Sequence, residues 1–336
     1  MTPHLDIRVL DQSQVGEARR AASRLASDQG LDETAVGRIA LIVTELGNNL
    51  WRHAAKGRLL LGSRSTEDGC CQLEVISIDS GPGMDVARCM RDGYSSAGTP
   101  GTGLGAVQRL STDFSVFSAP GRGTVILSRT RGPSPAASKA GLPRTRIAHA
   151  GICLAAPGET ISGDAWDIRI EDGRAVVIVA DGLGHGPDAA VAAAEALKAF
   201  ATARGSPAAM LERAHPLMRG TRGAAVAVAA LDASAGGIVY AGAGNISGRM
   251  ISGIEDRSLM SQPGTLGVQI RRLQDVNYAW PDHSIVVMHS DGLLTRWNLK
   301  DVGGLLQCDP AVIAGWLVRD ATRGHDDVTV VVLKRD

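Results

Sequence analysis

Aromatic side chains are scarce in this chain. Three Phe, three Tyr and five Trp make up only 3% of its 336 residues. Because so few large rings are available to fill a core, we expect the hydrophobic cores to consist of Val, Leu, Ile and Ala. Apolar residues nevertheless reach 44% and charged residues 21%. These proportions are typical of folded domains and exclude disorder for most of the chain.

An excess of charge of either sign is also absent. Lys and Arg together number 35, and so do Asp and Glu. A neutral balance lacks the basic footprint with which proteins attract nucleic acid or an anionic membrane, so we expect neither as a partner. No apolar run reaches the ~20 residues of a membrane-spanning helix. The first residues (MTPHLD) also lack the charged and apolar regions of a signal peptide.

Cysteine is sparse and irregularly spaced. The five cysteines are an odd number, and no Cys-x-x-Cys pair occurs among them. A disulfide framework and a structural zinc site are therefore not expected, and a reducing cytoplasm is the compartment that fits best. We expect each cysteine to be a small buried apolar residue.

The length of the chain predicts two domains, at roughly 100–200 residues per domain. Residues 129–146 (RTRGPSPAASKAGLPRTR) combine Pro, Gly, Ser and basic residues without apolar periodicity, which is typical of a linker. We therefore predict a first domain over residues 1–130, a linker over 131–146 and a second domain over 147–336.

Apolar periodicity predicts a long helix in the first domain. Asp32 is a suitable N-cap, and apolar residues then recur at steps of three and four as far as about His53. The other segments whose patterns predict structure are strands over 71–78, 114–118 and 124–128, a helix over 103–111, a hairpin of strands 166–170 and 174–180, helices over 187–204, 206–219 and 310–321, and strands over 224–232, 238–243, 285–289 and 328–334.

Three polar residues on the long helix form the first candidate site. Glu45, Asn49 and His53 are four residues apart, so their side chains lie along one face, about one turn from each other. The Asn49 amide oxygen could bind Mg²⁺, and the Glu45 carboxylate could accept a proton from a nucleophile. A solvated polar face is the competing interpretation, and the spacing alone favours it.

Two glycine-rich segments downstream shift this balance towards a site. Asp79 ends an apolar strand, and Gly81 and Gly83 allow the backbone after it to turn and to approach a ligand closely. Residues 101–105 (GTGLG) lead into a predicted helix, whose free N–H groups favour phosphate. The segment is not a Walker A motif, because no Gly-Lys-Ser/Thr follows it. It is not a dinucleotide fingerprint either, because its third glycine comes one residue early.

Taken in order, these residues resemble the GHKL family of ATPases and kinases, and most closely its RsbT-like anti-sigma serine kinases. Segments 44–49 (TELGNN), 92–96 (DGYSS) and 121–124 (GRGT) carry the resemblance, which covers nearly all of the first domain. The resemblance implies a Bergerat-type ATP-binding sandwich of helices on a mixed sheet. It also implies a kinase that transfers phosphate from ATP to a serine of a small STAS-domain partner.

The same resemblance implies a role for each residue of the first site. Glu45 is expected to be the catalytic base, Asn49 to bind Mg²⁺ and Asp79 to contact adenine. The glycines of residues 101–105 are expected to surround the phosphates. The residues implied to bind ATP with its Mg²⁺ are Asn49, Asp79, Gly81, Gly83, Gly101, Gly103, Leu104, Gly105 and Thr124.

Acidic residues at the ends of predicted strands form the second candidate site. Asp181 follows the apolar run 176–180 and Asp291 follows the strand 285–289. Asp164 and the pair at 326–327 flank other strands. Carboxylates from several elements suit Mg²⁺ or Mn²⁺. Ordinary Asp-Gly turn chemistry explains any single Asp-Gly pair better, but it does not explain the whole set.

This ordered set resembles the metal-dependent protein phosphatases, and most closely their SpoIIE/RsbX branch. The segments that carry the resemblance are 163–164 (GD), 181–186 (DGLGHG), 290–292 (SDG) and 326–329 (DDVT), and they span nearly all of the second domain. The resemblance implies a four-layer αββα sandwich with two Mn²⁺ or Mg²⁺ ions. These ions would activate a water molecule for attack on phosphoserine or phosphothreonine.

The resemblance to the phosphatases also assigns the metal ligands. Asp181 would bridge the two ions, and Asp291 and Asp326 would complete the first. Asp164 and the Gly182 carbonyl would bind the second.

Two alternatives stay open in the second site. Asp327 stands next to Asp326 and could replace it as a ligand. His185 could act as an acid, or it could be an ordinary loop histidine between glycines.

The two halves together predict a bifunctional cytoplasmic regulator of a bacterial partner-switching or stressosome-like pathway. It would phosphorylate a STAS-domain protein on Ser/Thr with ATP and remove phosphate with a two-metal site. The alternative is a phosphatase gated by a first domain that binds ATP and a partner without transferring phosphate. The presence of Glu45 argues against this alternative, because a domain that only binds ATP needs no base. A scaffold with two degenerate sites is a third, weaker hypothesis.

Overall fold

A computed structural model describes residues 3–54, 56–65, 69–90, 103–132 and 147–335. The chain divides into two compact units at residues 142 and 143, and each unit contains helices and strands. The predicted two-domain α/β organisation is therefore confirmed. The linker predicted over 131–146 lies almost entirely outside the described residues, so the domain limits stay a prediction.

The first unit is a five-stranded sheet with helices packed on one face. Its elements are β1 (Leu5–Arg8), α1 (Gln12–Asp28), α2 (Glu33–His53), β2 (Arg58–Ser65), β3 (Cys71–Asp79), α3 (Val86–Cys89), α4 (Gly103–Leu110), β4 (Asp113–Ala119) and β5 (Gly123–Arg131). The strand order is β1-β2-β3-β5-β4. Every neighbouring pair runs antiparallel, so the mixed sheet implied by the resemblance is wrong for these strands.

The long helix α2 begins where the sequence predicts. The Asp32 carboxylate accepts a hydrogen bond from the Ala35 N–H at 2.7 Å, which satisfies a backbone donor that the first turn leaves free. The apolar residues that recur along the helix, among them Ile39, Val43 and Leu46, are fully buried against the other helices and the sheet.

The second unit contains fifteen further helices and strands among the described residues, besides one short 3₁₀ turn. They are β6 (Ile147–Leu154), β7 (Asp164–Glu171), β8 (Arg174–Gly182), α5 (Pro187–Thr202), α6 (Pro207–Leu217), β9 (Ala224–Asp232), β10 (Gly237–Ala243), β11 (Ser247–Ile251), β12 (Asp256–Leu259), β13 (Gly264–Thr265), β14 (Gln269–Ile270), β15 (Val276–Ala279), β16 (Ile285–His289), α7 (Pro310–Ala321) and β17 (Val328–Arg335). The predicted hairpin is present in β7 and β8. Its turn residues Asp172 and Gly173 have φ values of 49° and 75°, as a tight hairpin turn requires.

These elements form four layers. Two five-stranded sheets, in the orders β15-β10-β9-β8-β7 and β12-β11-β16-β17-β6, pack around one shared core. Helices α5 and α6 cover the outer face of the first sheet, and α7 covers part of the outer face of the second. The αββα sandwich implied by the resemblance is therefore confirmed.

The scarce aromatic residues are concentrated in the second unit. Trp166, Tyr240, Trp280 and Trp316 are all buried there, so the expectation of purely aliphatic cores is wrong for this unit. The described core of the first unit does consist of Val, Leu, Ile and Ala. Two sheets packed face to face leave a thick core that large rings fill well.

The cysteines are less buried than expected. Cys153 is buried in β6, whereas the other four are only half-buried, because each lies beside or at the end of an element. Separately, no helix among the described residues is both long and apolar enough to span a bilayer.

Candidate active sites

The candidate ATP site is built where β3 and β5 meet. Asp79 ends β3 and lies directly opposite Thr124 in the antiparallel register. The Asp79 carboxylate accepts a hydrogen bond from the Gly81 N–H at 2.7 Å, which holds the chain in a tight turn after the strand. A Cβ atom on Gly123 would lie 2.1 Å from the Asp79 carbonyl oxygen, and Gly123 has a φ of 85°. Only glycine fits there, so the two strand ends are in close contact.

The turn after Asp79 lies against the last turn of α2. A Cβ atom on Gly81 would be 3.0 Å from the His53 carbonyl oxygen. Asn49 and Glu45 are one and two turns earlier on the same helix face, and both are half-buried. The Asp79 turn therefore contacts the end of the helix that carries the polar row predicted on α2.

Ser118 is a residue of this site that the sequence pattern does not reveal. It lies opposite Thr124 in the register of β4 and β5, and the two hydroxyl oxygens are 3.0 Å apart. The Ser118 hydroxyl also accepts a hydrogen bond from the Met84 N–H at 2.8 Å. It thereby ties the segment after Gly83 to the two strand ends. Its only signal in the sequence is a hydroxyl residue near the end of a strand.

The predicted phosphate-binding glycines are only partly described. Gly103 and Gly105 form the first turn of α4, and Leu104 between them is buried in the core. Gly101 lies outside the described residues, as does the segment 92–96. Helix α4 packs on α2, so its N-terminal turn stands beside the helix that carries Asn49.

The second candidate site gathers carboxylates from distant parts of the chain. Asp164 begins β7 and lies directly opposite Asp181 near the end of β8. The backbone N–H of Asp291 donates to the Asp181 carboxylate. Burial, together with the nearby charges of Asp291 and Asp326, raises the pKa of Asp181 to about 7. The structure therefore brings together four of the predicted acidic residues.

Asp164 is the most deeply placed of these carboxylates. It is 4% exposed, and burial followed by the charge of Asp181 raises its pKa well above the usual range. The Ser290 hydroxyl donates to it at 2.6 Å and accepts from the Thr329 N–H at 2.9 Å. The Ser162 hydroxyl accepts from the Asp164 N–H at 3.1 Å. Ser290 and Ser162 thus position Asp164, a role that the sequence pattern does not assign to them.

Asp326 and Asp327 have different surroundings. Both carboxylate oxygens of Asp327 accept hydrogen bonds from buried backbone groups, the Ala156 N–H and the Gly163 N–H, each at 2.8 Å. Asp326 is half-buried, and its carboxylate accepts a hydrogen bond from the Asp327 N–H at 2.9 Å. Asp327 therefore anchors two loops, and this leaves Asp326 as the better candidate ligand.

Asn245 and the predicted residues Gly182 and His185 have contacts of their own. The Asn245 side-chain amide donates to the Asp291 carboxylate at 2.8 Å. A Cβ atom on Gly182 would lie 2.1 Å from the Ala189 carbonyl oxygen, so glycine is required where β8 meets α5. His185 is exposed, and its Nδ1 lies 3.1 Å from a Glu159 carboxylate oxygen.

Two family models match the chain, one in each unit. Residues 9–129 match the histidine kinase-like ATPase domain, and residues 171–336 match stage II sporulation protein E (SpoIIE). The serine/threonine-protein kinase RsbT of Bacillus subtilis (strain 168) is 32% identical over 121 residues, which make up 36% of this chain and 90% of RsbT. The chain belongs to the RsbT family and carries a SpoIIE domain.

Solved structures resemble the chain over a larger share of its length. One of them, described as "The bacterial stressosome: a modular system that has been adapted to control secondary messenger signaling", is 26% identical with a TM-score of 0.53, and the match covers 56% of this chain and 99% of that one. A crystal structure of RsbX in complex with magnesium is 21% identical with a TM-score of 0.50, covers the same share of this chain and 96% of RsbX, and shows the fold alone. The second unit is thus a SpoIIE domain whose fold resembles that of RsbX, and the RsbT-like unit is the homologue of a serine/threonine kinase.

The acidic cluster of the SpoIIE unit fits divalent cations by its chemistry. The predicted donors are hard oxygen atoms, and the carboxylates around Asp181 repel each other enough to raise its pKa. Within the described part of the chain, however, no three His, Cys, Asp or Glu side chains converge as a ready-made metal site. Bound cations would therefore draw these carboxylates closer together and relieve their repulsion. The individual ligand assignments stay a prediction.

Proposed function

We propose that the chain is a bifunctional regulator of a partner-switching pathway. Its RsbT-like unit would phosphorylate a STAS-domain protein on Ser/Thr with ATP, and its SpoIIE unit would remove phosphate from phosphoserine or phosphothreonine. The observation that carries this proposal is that each unit has a separate group of polar or charged residues near the ends of its strands. Glu45 and Asn49 lie on the helix that contacts the Asp79 turn in one unit, and three further carboxylates surround Asp181 in the other.

In the RsbT-like unit, the residues have separable tasks. Asp79 would accept a hydrogen bond from the adenine amine, and Asn49 would hold Mg²⁺ with its amide oxygen. Mg²⁺-bound ATP would supply the phosphoryl group. Glu45 would accept the proton of the attacking serine hydroxyl, which its half-buried place in the middle of α2 allows a partner to reach. The first turn of α4 would direct its free N–H groups at the phosphates.

In the SpoIIE unit, two Mn²⁺ or Mg²⁺ ions would supply an activated water molecule and neutralise the developing charge. Asp181 would bridge the two ions, with Asp291 and Asp326 on one side and Asp164 and the Gly182 carbonyl on the other. Ser290 and Ser162 would keep Asp164 in one orientation through the hydrogen bonds described above. Asn245 would orient Asp291 in the same way.

The proposed partner follows from the relatives. RsbT is named as a serine/threonine-protein kinase, and one structural neighbour is described in terms of the bacterial stressosome. We infer that a STAS-domain protein of such an assembly is the common substrate of both units, and that the chain acts in the cytoplasm, where ATP is available.

A second candidate function is a phosphatase gated by a non-catalytic ATP-binding unit. In that case Thr124 and Asp79 would still bind the nucleotide. Only Glu45 therefore distinguishes the kinase from the gated phosphatase. A binding unit has no use for a half-buried carboxylate in the middle of a helix, so the presence of Glu45 favours the kinase.

The decisive experiment is incubation of the chain with labelled ATP, Mg²⁺ and a STAS-domain protein. The unsubstituted protein and the Asp181→Asn variant are compared, because an active phosphatase would erase the product of the kinase. We expect labelled STAS protein to accumulate with Asp181→Asn and to turn over with the unsubstituted chain. Asp232→Asn, a change at an exposed ion pair with Arg174 in the same unit, is the matched control. If none of these proteins labels the STAS-domain protein, while the unsubstituted chain still hydrolyses p-nitrophenyl phosphate, the hypothesis of a gated phosphatase is favoured over the kinase.

A further inference from the structure

A cavity of about 730 Å³ lies beside the acidic cluster of the SpoIIE unit, and the proposed chemistry does not use it. Asn245 belongs to its wall and also donates to the Asp291 carboxylate, so the cavity begins where the metal site ends. The volume falls within the range of about 300–1,000 Å³ that is typical of ligand sites. A ligand held at the metal site could therefore extend into this cavity without a gap.

The floor of the cavity is formed by Arg249, which its neighbours hold in place. Arg249 on β11 makes two hydrogen bonds to the Asp256 carboxylate on the neighbouring strand β12, one of them at 3.1 Å. Its guanidinium lies 3.8 Å from the ring centroid of Trp297 and donates to the Trp297 carbonyl oxygen at 2.9 Å. Arg249 is thus neutralised and fixed by its neighbours, and it shapes the cavity more than it attracts charge.

The inner wall is connected to the metal site by hydrogen bonds. Trp297 donates its indole N–H to His289 Nε2 at 3.2 Å, so the His289 proton resides on Nδ1 and is donated to the Ser290 carbonyl oxygen at 2.8 Å. Ser290 in turn donates to Asp164. The cavity and the metal site therefore share one ordered framework.

The rim of the cavity carries the charges that a ligand would meet. Arg296 and Lys300 line the cavity and are exposed, and neither forms an ion pair with another residue in the described part of the chain. The lining contains three cationic side chains and one carboxylate, which leaves two positive charges in excess. These two charges lie within one short segment after Asp291, next to the edge strand β12. Residues of β12 line the cavity, so it lies at a sheet edge, where an extended chain can bind.

We propose that this cavity binds acidic residues that flank the phosphorylated serine or threonine of the protein substrate. The proposal rests on the phosphatase function proposed above, because the phosphoryl group would have to lie at the acidic cluster. Arg296 and Lys300 would then pair with Asp or Glu side chains of the substrate. Asn245 would lie between the phosphoryl group and these flanking residues. The substrate class is thus a phosphoprotein segment with an acidic neighbourhood.

The test uses the double variant Arg296→Glu/Lys300→Glu in the full chain. The matched control is Lys198→Glu/Arg204→Glu, which places the same charge change on exposed residues of the helical layer that covers the other sheet. Three substrates are compared in the presence of Mn²⁺: p-nitrophenyl phosphate, a phosphoserine peptide with Asp and Glu flanks, and the same peptide with Ala flanks. Fluorescence anisotropy also measures, without metal, the binding of the labelled acidic peptide with Ala in place of phosphoserine.

We expect the double variant to raise KM for the acidic phosphopeptide about tenfold, the combined effect of two lost ion pairs. Its hydrolysis of p-nitrophenyl phosphate and of the Ala-flanked peptide should stay within about twofold of the unsubstituted chain, and anisotropy should show a matching loss of binding. Equal KM values for the two peptides with the unsubstituted chain, or equal losses in the control variant, would overturn the proposal. Failure of the unsubstituted chain to hydrolyse p-nitrophenyl phosphate would instead overturn the phosphatase function, while the anisotropy measurement would still decide whether the cavity binds acidic peptides.

Discussion

The two candidate sites lie at strand ends, but they are held together in different ways. In the RsbT-like unit, the Asp79 carboxylate is bound by the N–H of Gly81, only two residues further along the chain. In the SpoIIE unit, the Asp181 carboxylate meets carboxylates that belong to residues more than a hundred positions away. The first site is closed by local backbone geometry, whereas the second brings together like charges that repel each other.

This difference indicates what each site requires from outside the chain. Glycines allow the strand ends of the RsbT-like unit to touch, and a hydrogen bond from a backbone N–H holds its turn without a bound ion. A cluster of carboxylates without a neighbouring cation is unfavourable by itself, and the charges of Asp291 and Asp326 add to the larger effect of burial in raising the pKa of Asp181. The SpoIIE site is therefore expected to be completed by cations, and the RsbT-like site by contacts to its ligand.

The largest expected effect comes from disabling one site and measuring the activity of the other. Glu45→Gln keeps the shape of the side chain but removes the base, so phosphate transfer should fall about 10²–10⁴-fold. Mn²⁺-dependent hydrolysis of p-nitrophenyl phosphate should be unchanged, because no residue of the acidic cluster is altered. Glu33→Gln, an exposed change in the first turn of the same helix, is the control. A loss of both activities in a folded Glu45→Gln protein would show that the two sites are not independent.

The next test concerns the close contact of the strand ends in the RsbT-like unit. Gly123→Ala would place a Cβ atom 2.1 Å from the Asp79 carbonyl oxygen at a φ of 85°, so it should destabilise the unit by about 2–4 kcal/mol. Gly121→Ala has a φ of 70° but no atom within 4 Å of the added carbon, and should cost only about 1 kcal/mol. Hydrogen exchange of β3 and β5 measures both effects. Similar losses for the two variants would mean that strain in φ, and not the contact, sets the cost.

A smaller effect should separate the two adjacent aspartates of the SpoIIE unit. Asp327→Asn removes an acceptor from buried N–H groups and should cost about 1–3 kcal/mol of stability. Asp326→Asn should leave stability nearly unchanged but raise the Mn²⁺ concentration needed for activity more than about tenfold. Hydrogen exchange of β6 and a Mn²⁺ titration of activity distinguish the two. The reverse pattern would make Asp327 the ligand.

The effect confined to the narrowest range of conditions is a pH dependence of the RsbT-like unit. Burial alone would raise the pKa of Glu74, but the Arg129 guanidinium at 2.6 Å and the nearby His4 outweigh it and lower the pKa to about 2. The folded state therefore binds this proton less tightly than the unfolded state. The stabilisation is complete above about pH 4.5 and is lost as the pH falls towards 2, by about 2–3 kcal/mol.

Hydrogen exchange between pH 5 and pH 3 measures the upper part of this loss. Glu74→Gln should abolish the pH dependence that Glu74 contributes, although it lowers stability throughout by removing the buried ion pair between Glu74 and Arg129. Asp6→Asn, at the more exposed ion pair with Arg58, should retain that dependence. A Glu74→Gln protein with the pH profile of the unsubstituted chain would contradict the assignment.

Sequence patterns predicted the elements that have strong local signals. The cap of Asp32, the apolar face of α2 and the Asp172-Gly173 turn are all present where the pattern places them. The predictions missed helix α1, because its buried positions are mostly alanines, although Asp11 and Gln14 form a capping box at its start. The same holds for β11 and β12, which are short, contain polar residues and form the floor of the cavity.

The predicted direction of strand pairing in the RsbT-like unit was wrong. The sheet of the RsbT-like unit is antiparallel throughout the described strands, because β3 pairs with β5 and not with a parallel neighbour. Such a pairing joins segments about fifty residues apart, and no pattern within one strand specifies its partner.

The sequence by itself determined the two units, the residue types at their strand ends and the glycines that let the backbone turn there. These are properties of a few neighbouring residues, and they can be predicted from periodicity and side-chain chemistry. Only the tertiary structure decided that Asp327 anchors loops, that Ser290 positions Asp164 and that a cationic cavity adjoins Asp291. The reason is physical: hydrogen bonds and charge interactions depend on distance and burial, and folding sets both between residues that are far apart in the chain.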